Sequence, residues 1–473
     1  MTMPEQALAG AAPVPASRTI WRDELIETVK LALPIALTQL GQVGMMTSDL
    51  ALLGRLGNQV VAASALAHTI LFAFFIVGMG LVSAVSPLAS QAFGARDPRM
   101  VRRALRAGLW AATLLGVPVT LSQLYGEQML LALGQTPEAA KLAASYLHGL
   151  AWCIVPAWWF IALRGFMQSV NRPEPGLWIT LVAIPANVAL AYGLIYGEFG
   201  LPRLEMFGAG LGTAIINLCM CVAAVWVCTT CRPFKKFHVL GRFWRPDWSL
   251  FGRLLAIGAP ISGTMLLEFG LFASAALLMG LISTEALAAH QIALTTASIL
   301  FMVPFGVSMA ATTRVGHAVG RRDTEATRRA GMTAIALGMA FMAAMTLLVA
   351  LVRQFIPLLF LGLDTPASDA TLQLAALLLA VGASFFIADG VQTVAVGALR
   401  GLNDTRMPLL FAAICFWLIG FSACWGLGFA LGYGPAGIWI GLSIGLMVYA
   451  ILLIRRFHLL TRRGYLPDVA SAK

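Results

Sequence analysis

Apolar runs of about 20 residues recur along the whole 473-residue chain, and this recurrence limits the possible folds more than any other feature. A run of that length can cross about 30 Å of hydrocarbon as an α-helix. The alternating pattern of about ten residues that a membrane β-barrel requires does not recur. Because 59% of the residues are hydrophobic and only 11% are charged, the sequence predicts an all-α polytopic membrane protein.

Twelve membrane-spanning helices are predicted from the apolar runs. Their ranges are 28–53, 60–88, 103–124, 140–165, 177–198, 207–230, 252–281, 286–312, 330–352, 372–399, 409–432 and 436–457. The first 17 residues are rich in Ala and Pro and lack the basic start, apolar core and cleavage site of a signal peptide. They are therefore predicted to be a tail that precedes the first span.

The positions of the 32 Lys and Arg residues predict the topology. With an even number of helices, both termini lie on one side, and only Arg55, Lys141, Arg203 and Arg353 fall in loops on the other side. Because positively charged loops stay in the cytoplasm, both termini are predicted to be cytoplasmic. The net charge of +11 is explained by the excess of Lys and Arg on the predicted cytoplasmic side, so nucleic acid is not expected as a partner.

The sequence repeats itself at a constant offset of 226 residues. The matching pairs include Pro34 and Pro260, Gly80 and Gly306, Gly94 and Gly320, and Asp97 and Asp323. Each half contains six predicted helices, and an even number of spans returns the chain to the side of the membrane on which it began. Both halves therefore begin on the same side, and the two six-helix bundles are predicted to be related by a pseudo-two-fold axis along the membrane normal. Duplicated bundles are typical of secondary transporters, in which they rock about a central site.

The repeat divides the chain into five predicted parts. They are an N-terminal cytoplasmic tail (1–24), a first bundle (25–230), a cytoplasmic linker (231–250), a second bundle (251–458) and a C-terminal cytoplasmic tail (459–473). The phrases LRGFMQSVNRP and ALRGLNDTRMP end the fourth and tenth helices, and we interpret them as matching turns. In the second turn, Asn403, Asp404 or Thr405 is expected to cap the next helix.

Three carboxylates lie within predicted spans, namely Asp49, Glu268 and Asp389. An ionised carboxylate at membrane depth costs at least about 2.5–3.5 kcal/mol, so such groups usually face a cavity and mark ion or proton routes. Glu268 and Asp389 have similar depths in the same half, where they could jointly coordinate Na⁺ or share a proton. The alternative is a neutral carboxyl group that is hydrogen-bonded for structural reasons.

Polar residues inside other spans are candidate partners of these carboxylates. Asn187 and Thr213 are expected near Asp49, although a lone Asn or Thr in a membrane helix often makes only a packing bond. The offset places Gln42 opposite Glu268. His290 and Gln291 are expected to make polar contacts inside the second bundle.

Aromatic residues could line a cavity for flat organic cations, with Phe385 and Phe386 as candidates, although such residues more often face lipid or pack in a core. No GxxxxGK[ST] phosphate loop and no HExxH motif occurs. The chain is therefore not expected to be an enzyme or to need a cofactor.

Four long sequence segments resemble those of a known family. They are GALRGLNDTRMP, LAAHQIALTTASILFMVPFGVS, TRVGHAVGRRD and YGEFGLPRLEMFGAGLGTA. Together they resemble the multidrug and toxic compound extrusion (MATE) family, most closely its NorM-like bacterial branch. The resemblance extends from about residue 25 to about residue 460.

This resemblance implies a V-shaped pair of bundles in a bacterial inner membrane, working as a monomer. It implies export of cationic and amphipathic drugs in exchange for inward H⁺ or Na⁺ by alternating access, with small molecules and membrane lipid as the partners. Glu268 and Asp389 match the family's cation site in the second half. Asp49 matches a first-helix aspartate linked to protonation, with Asn187 and Thr213 as its partners.

Two departures from the family pattern favour H⁺ over Na⁺. Phe385 stands where NorM-like members often carry Tyr, and Ala183 stands where they often carry Asn. The alternative function is export or flipping of a polar metabolite or a lipid-linked substrate on the same scaffold. That function would need a broadly basic cavity, and the sequence predicts no Lys or Arg deep in a first-half span.

Overall fold

The computed structural model describes residues 17–241, 243–361 and 369–466. The outer parts of the two predicted tails, 1–16 and 467–473, lie outside the described residues. Within the described residues the chain forms twelve long helices. They are α1 (Ser17–Gly54), α2 (Gln59–Gly94), α3 (Pro98–Gln123), α4 (Pro137–Ser169), α5 (Glu174–Tyr196), α6 (Glu205–Thr230), α7 (Trp248–Ile282), α8 (Thr284–Gly320), α9 (Thr324–Val352), α10 (Ala370–Val381 and Ala383–Gly401), α11 (Arg406–Ala430) and α12 (Gly434–Arg462).

Length and apolar composition confirm the all-helical membrane architecture. Ten of these helices are long and apolar enough to cross a membrane, and the two parts of α10, bent by 49°, together form an eleventh candidate span. The remaining helix, α1, is 38 residues long and is not among the helices that meet this test of composition. Its mean hydropathy is lowered by polar residues such as Gln39, Gln42 and Asp49. Each predicted span coincides with one of the twelve helices.

The loops after α2 and α8 show that the sequence repeat is also a structural repeat. Arg96 and Arg322 have positive φ angles of 57° and 58°. Each is followed by an aspartate that caps the next helix, since Asp97 Oδ1 accepts hydrogen bonds from two backbone N–H groups at 3.0 Å and Asp323 Oδ1 accepts one at 2.9 Å. Capping of this kind satisfies N–H groups that have no partner within the helix.

The two halves meet mainly along three helix pairs: α1 with α8, α2 with α7, and the end of α2 with α8. A Cβ atom at Gly80 would lie 2.6 Å from Cα of Ser262, and one at Gly306 would lie 2.8 Å from the backbone nitrogen of Ala36. These two contacts are related by the 226-residue offset. Glycine is needed at both places because any side chain would separate the helices.

The hydrophobic core consists of two clusters, which α1 and α7 connect. The first cluster is formed mainly by the first half, but it includes Leu250 and Leu254 of α7. The second is formed mainly by the second half, but it includes Leu31 and Ile35 of α1. Both helices therefore belong to one bundle at one end and to the other bundle at the opposite end.

Hydrogen bonds between the halves close the side of the molecule at which the described chain begins and ends, here called the terminal face. Gln91 Nε2 donates to the carbonyl oxygen of Gly401 at 2.8 Å, and His317 Nε2 donates to that of Ser169 at 2.7 Å. Arg314 of α8 also forms two hydrogen bonds, each 2.9 Å long, with the carboxylate of Glu24 in α1. The bundles are thus held together at the terminal face.

The turn between α10 and α11 is made differently from the sequence prediction. Thr405 is the N-cap residue of α11, but its side chain makes no capping hydrogen bond. Asp404 Oδ2 instead accepts a hydrogen bond from Arg456 Nε of α12 at 2.9 Å. Asn403, with a φ of 58°, donates its side-chain amide to Gln91 Oε1 at 2.8 Å. The capping prediction was wrong: tertiary partners occupy the side chains of Asn403 and Asp404, and the Thr405 side chain makes no capping bond.

Candidate functional site

The structure brings Glu268 of α7 and Asp389 of α10 together through a third residue, Gln392. Gln392 Nε2 lies 2.8 Å from Glu268 Oε1 and 3.2 Å from Asp389 Oδ1. The same nitrogen lies 3.1 Å from Thr393 Oγ1. The amide nitrogen carries two hydrogens, so it cannot donate a separate hydrogen bond to each of the three oxygens at once.

Burial strengthens the electrostatic interactions at this site. Asp389 is 6% exposed and Gln392 is 2% exposed. The charges of Glu268 and Asp389 repel one another, and the buried Arg400 attracts Glu268. Close carboxylates in a poorly solvated site favour the uptake of a proton or a cation.

Sequence analysis missed Gln392, although a signal was present. Gln392 is an amide within a predicted span, and it follows Asp389 by three residues. On a helix this spacing places two side chains on the same face. Its contact with Glu268, which is 124 positions away in sequence, depends on how α7 and α10 both pack against α8 and α12, and it could not be read from the spacing.

In the first half, Asp49 makes both predicted contacts. Asn187 Nδ2 of α5 donates to Asp49 Oδ1 at 2.6 Å, and Thr213 Oγ1 of α6 donates to Asp49 Oδ2 at 2.9 Å. Asp49 is 6% exposed and Asn187 is fully buried. Among the described residues, Asn187 Oδ1 has no hydrogen-bond partner. The contacts are present, while the role of this cluster in ion coupling stays a prediction.

Gln42 binds an arginine that the sequence analysis did not consider. Arg164 Nη1 of α4 donates to Gln39 Oε1 at 2.6 Å and to Gln42 Oε1 at 3.3 Å. Arg164 is only 7% exposed, and its guanidinium carbon lies 6.0 Å from the centre of the Phe160 ring. The expectation that no basic residue lies deep in a first-half span was wrong, because the long Arg164 side chain reaches the middle of α1.

The remaining candidates in the second bundle do not touch the carboxylate pair. His290 is fully buried, and its Nδ1 accepts a hydrogen bond from Trp439 Nε1 at 3.2 Å. Gln291 is exposed, and no hydrogen bond of its side chain occurs among the described contacts. The polar contact expected for His290 is present, but it joins α8 to α12.

Phe385 and Phe386 are core residues and do not line a cavity in this structure. Each is 1% exposed. The Phe385 ring lies 5.1 Å from the Trp439 ring and 5.9 Å from the Phe272 ring, measured between ring centres. These aromatic contacts bury both rings in this conformation, and a role for them in a substrate cavity stays a prediction.

The donor atoms of the second-half pair suit a hard cation or a proton. Among the described residues, no group of three or more His, Cys, Asp or Glu side chains could hold a metal ion. Glu268, Asp389 and Thr393 provide carboxylate and hydroxyl oxygens, which are the ligands that hard cations prefer.

Comparison with protein families identifies one match, the MatE family model, which fits the chain twice. The matched segments are residues 34–193 and 260–425, whose first residues are 226 positions apart. The structural and sequence repeats thus coincide with the repeat of the family model.

Similar curated proteins cover the whole chain. A probable multidrug resistance protein NorM from Rhodopseudomonas palustris is 62% identical over 471 residues, covering 100% of this chain and 99% of the relative. A protein of the same description from Bradyrhizobium diazoefficiens is 58% identical, covering 93% of this chain and 94% of the relative. Among solved structures, a MATE protein in its straight conformation matches with a TM-score of 0.84 at 18% identity, covering 93% of this chain and 97% of that one.

Proposed function

The chain belongs to the MatE family of membrane transporters, and on this premise we propose that it is a multidrug antiporter that exports organic cations and amphipathic drugs in exchange for H⁺ or Na⁺. As a member of this family it is a transporter and not an enzyme. The observation that carries the proposed coupling is the pair of half-buried Glu268 and buried Asp389, joined by Gln392 Nε2 at 2.8 and 3.2 Å.

The coupling follows from the electrostatics of this pair. Two nearby carboxylates with little water around them repel each other, so binding of a proton or Na⁺ stabilises the arrangement with both groups close together. Glu268 lies on α7, which packs against α2 of the other bundle. A ligand that changes the relative stability of two bundle arrangements shifts their populations, and this is the coupling that antiport requires.

We further propose that the terminal face is cytoplasmic and that the protein is a monomer in the bacterial inner membrane. The loops of the terminal face carry most of the Lys and Arg residues, as the positive-inside rule requires. In that orientation, the contacts of Gln91, His317 and Arg314 keep the transport path closed to the cytoplasm.

We favour H⁺ as the coupling ion. Phe385 supplies no oxygen at the position where a tyrosine would, and its ring is buried against Trp439. The second half therefore offers fewer oxygen ligands than Na⁺ coordination favours. A proton, in contrast, needs only the two carboxylates and the amide that joins them.

The alternative, an exporter of phosphate-bearing metabolites or lipid-linked substrates, would need several cations in one cavity. Among the described residues of the first half, Arg164 is the one buried Lys or Arg side chain. Asp49 lies on the same helix as Gln39 and Gln42, which accept the hydrogen bonds of Arg164. This mixture of charges is better suited to drugs than to phosphates.

The proposed function is tested by dye efflux from proteoliposomes that contain the full-length protein, with pH and Na⁺ gradients imposed separately. We expect efflux of a cationic dye to require one gradient, and Glu268→Gln and Asp389→Asn to abolish that dependence. Glu285→Gln changes an exposed carboxylate and serves as the matched control. Transport that is indifferent to both gradients would disprove the antiport mechanism.

A further inference from the structure

A cavity of about 410 Å³ lies at the terminal face between the two halves. Its volume falls within the range of small-molecule sites, roughly 300–1,000 Å³. The first half contributes the end of α2, the start of α3 and the turn after α4, the second half contributes the end of α8, and Phe237 of the linker completes the wall. Asp49, Glu268 and Asp389 are not among the lining residues, so this cavity is separate from the candidate coupling sites.

Three arginines line the cavity, and they come from both halves. Arg96 follows α2 in the first half, while Arg314 and Arg321 lie at the end of α8 in the second half. Arg314 is already bound to the carboxylate of Glu24. Among the described residues, the side chains of Arg96 and Arg321 form no hydrogen bond or ion pair. The one lining carboxylate, Asp97, accepts hydrogen bonds from the first N–H groups of α3, so two guanidinium groups without a partner remain, one from each half.

The sequence repeat indicates that the arginines of α8 are not needed to end a helix at this point. The offset of 226 residues relates Arg314 to Leu88 and Arg321 to Ala95, both at the end of α2. The two helix ends nevertheless have the same turn, with a positive φ angle followed by a capping aspartate. The positive charge therefore exceeds what the fold itself requires, and it is present on one side of the pseudo-two-fold axis only.

Asn171, in the turn after α4, adds a neutral donor to the cavity. Its counterpart after α10, Asn403, has the same positive φ and donates its side-chain amide to Gln91 Oε1 at 2.8 Å. The repeat places His317 where Gln91 would be, and the His317 ring donates to the carbonyl oxygen of Ser169. Among the described residues, the side chain of Asn171 consequently has no hydrogen-bond partner.

We propose that this cavity binds a phosphate group through Arg96, Arg321 and Asn171, and that the bound phosphate holds the terminal face closed. A phosphate offers several acceptor oxygens, and the planar guanidinium group matches their geometry with paired hydrogen bonds. Because Arg96 and Arg321 belong to different halves, a ligand that contacts both stabilises only the arrangement in which the halves meet, and it shifts the population toward that arrangement. An anionic phospholipid headgroup and a soluble phosphate both carry the required group. This regulatory site goes beyond the proposed export function and does not depend on it.

Binding is tested by calorimetric titration of the full-length protein in neutral detergent at constant ionic strength, with inorganic phosphate and with short-chain phosphatidylglycerol as separate probes. We expect Arg96→Gln and Arg321→Gln each to raise the dissociation constant at least about tenfold, because each removes hydrogen bonds between charged groups. Arg96→Lys keeps the charge and should recover part of this loss. The control is Arg99→Gln, which removes the same charge from an exposed residue at the start of α3 outside the cavity; its effect should stay below about twofold, because salt screens exposed charges.

Closure is tested by the rate at which a maleimide modifies a cysteine introduced by Ser90→Cys. Ser90 is fully buried, and it lies against Gly316 of the other half. With a probe at about ten times its dissociation constant, modification should be slowed about tenfold, because only the closed arrangement binds the probe. Adding Arg96→Gln should remove this effect.

The outcomes identify the source of the phosphate and can overturn the inference. Binding of phosphatidylglycerol alone would assign the site to a lipid headgroup, and binding of inorganic phosphate would assign it to a soluble anion. Absence of binding for both probes overturns the inference. An equal loss of binding in Arg99→Gln also overturns it, because the attraction would then be diffuse, and so does binding that leaves the modification rate unchanged. An unaltered unfolding temperature of Arg96→Gln without a probe shows that the variant folds. Since no measurement involves transport, failure here leaves the proposed export function untouched.

Discussion

The side-chain nitrogen of Gln91 lies 2.8 Å from the carbonyl oxygen of Gly401, and this hydrogen bond joins the end of α2 in one half to the end of α10 in the other. The repeat provides a second copy, in which His317 at the end of α8 donates to Ser169 at the end of α4 at 2.7 Å. Gln91 and His317 are 226 positions apart. Each acceptor lies two residues before an asparagine with positive φ, Asn171 at 59° and Asn403 at 58°. The terminal face is thus closed by two equivalent contacts.

His317→Leu is expected to increase opening of the terminal face about fivefold, because it removes one hydrogen bond worth about 1 kcal/mol. Gln91→Leu should increase opening further, because it removes the bonds with both Gly401 and Asn403. The measurement is the rate at which a membrane-impermeant maleimide modifies a cysteine at Ser90. Ser90 is fully buried, and a Cβ atom at Gly316 of the other half would lie 2.7 Å from its Cβ.

His317→Gln is the control for this prediction. A glutamine amide can donate to Ser169 as Gln91 donates to Gly401, so modification should remain slow. The protein without the Ser90→Cys change measures the background from the seven native cysteines. Equal modification rates in all variants would show that these contacts do not hold the face closed.

Gln392→Leu is expected to reduce gradient-dependent efflux at least about tenfold, because hydrogen bonds to charged groups contribute about 1.5–3 kcal/mol. Without the amide, Glu268 and Asp389 lose the donor that holds them in one geometry. Efflux is measured in proteoliposomes at several imposed pH gradients. Gln291→Leu, at an exposed glutamine, should leave efflux unchanged; similar losses in both variants would contradict a specific role for Gln392.

Asp404→Asn is expected to leave the coupling ion unaltered and to lower stability. Asp404 forms an ion pair with Arg456, with an N–O distance of 2.9 Å, at the turn before α11. Since partly exposed ion pairs contribute roughly 0.2–1 kcal/mol, the unfolding temperature should fall by no more than a few degrees. Thermal unfolding in detergent and ion-dependent efflux are measured on the same sample. A change from H⁺ to Na⁺ dependence, or the reverse, would refute the structural role of this turn.

Asp247, in the segment before α7, is expected to make stability depend on pH. Partial burial opposes ionisation of its carboxyl group, but hydrogen bonds from Arg103, Ser249 and the Leu250 N–H outweigh this effect and hold its pKa below the usual 3.8. The ionised group therefore stabilises the fold above about pH 4, and this contribution is lost as the pH falls through the lowered pKa.

The test of this prediction compares the thermal unfolding of Asp247→Asn and the unmodified protein between pH 3 and pH 7. The difference should be largest at pH 7 and should shrink toward pH 3. Asp23→Asn, in the described part of α1, is the carboxylate control. A difference that is constant across the range would exclude a contribution from ionisation.

The sequence by itself determined the features that depend on local physics. The length of the apolar runs predicted twelve spans because a helix must cover the hydrocarbon layer. The constant offset predicted the duplicated bundles. The free-energy cost of placing an ionised carboxylate inside a membrane span identified Asp49, Glu268 and Asp389 as candidate functional residues. The contacts of Asp49 with Asn187 and Thr213 were also anticipated, through the family resemblance.

Only the tertiary structure decided which distant side chains meet. Gln392 bridges two carboxylates because α7 and α10 both pack against α8 and α12, and Arg164 reaches Gln42 because α1 and α4 both pack against α2. Asp404 binds Arg456 and does not cap α11, and Phe385 is buried against Trp439 rather than facing a cavity. Hydropathy and spacing describe one helix at a time, whereas these contacts depend on how helices far apart in the sequence are rotated and packed against one another.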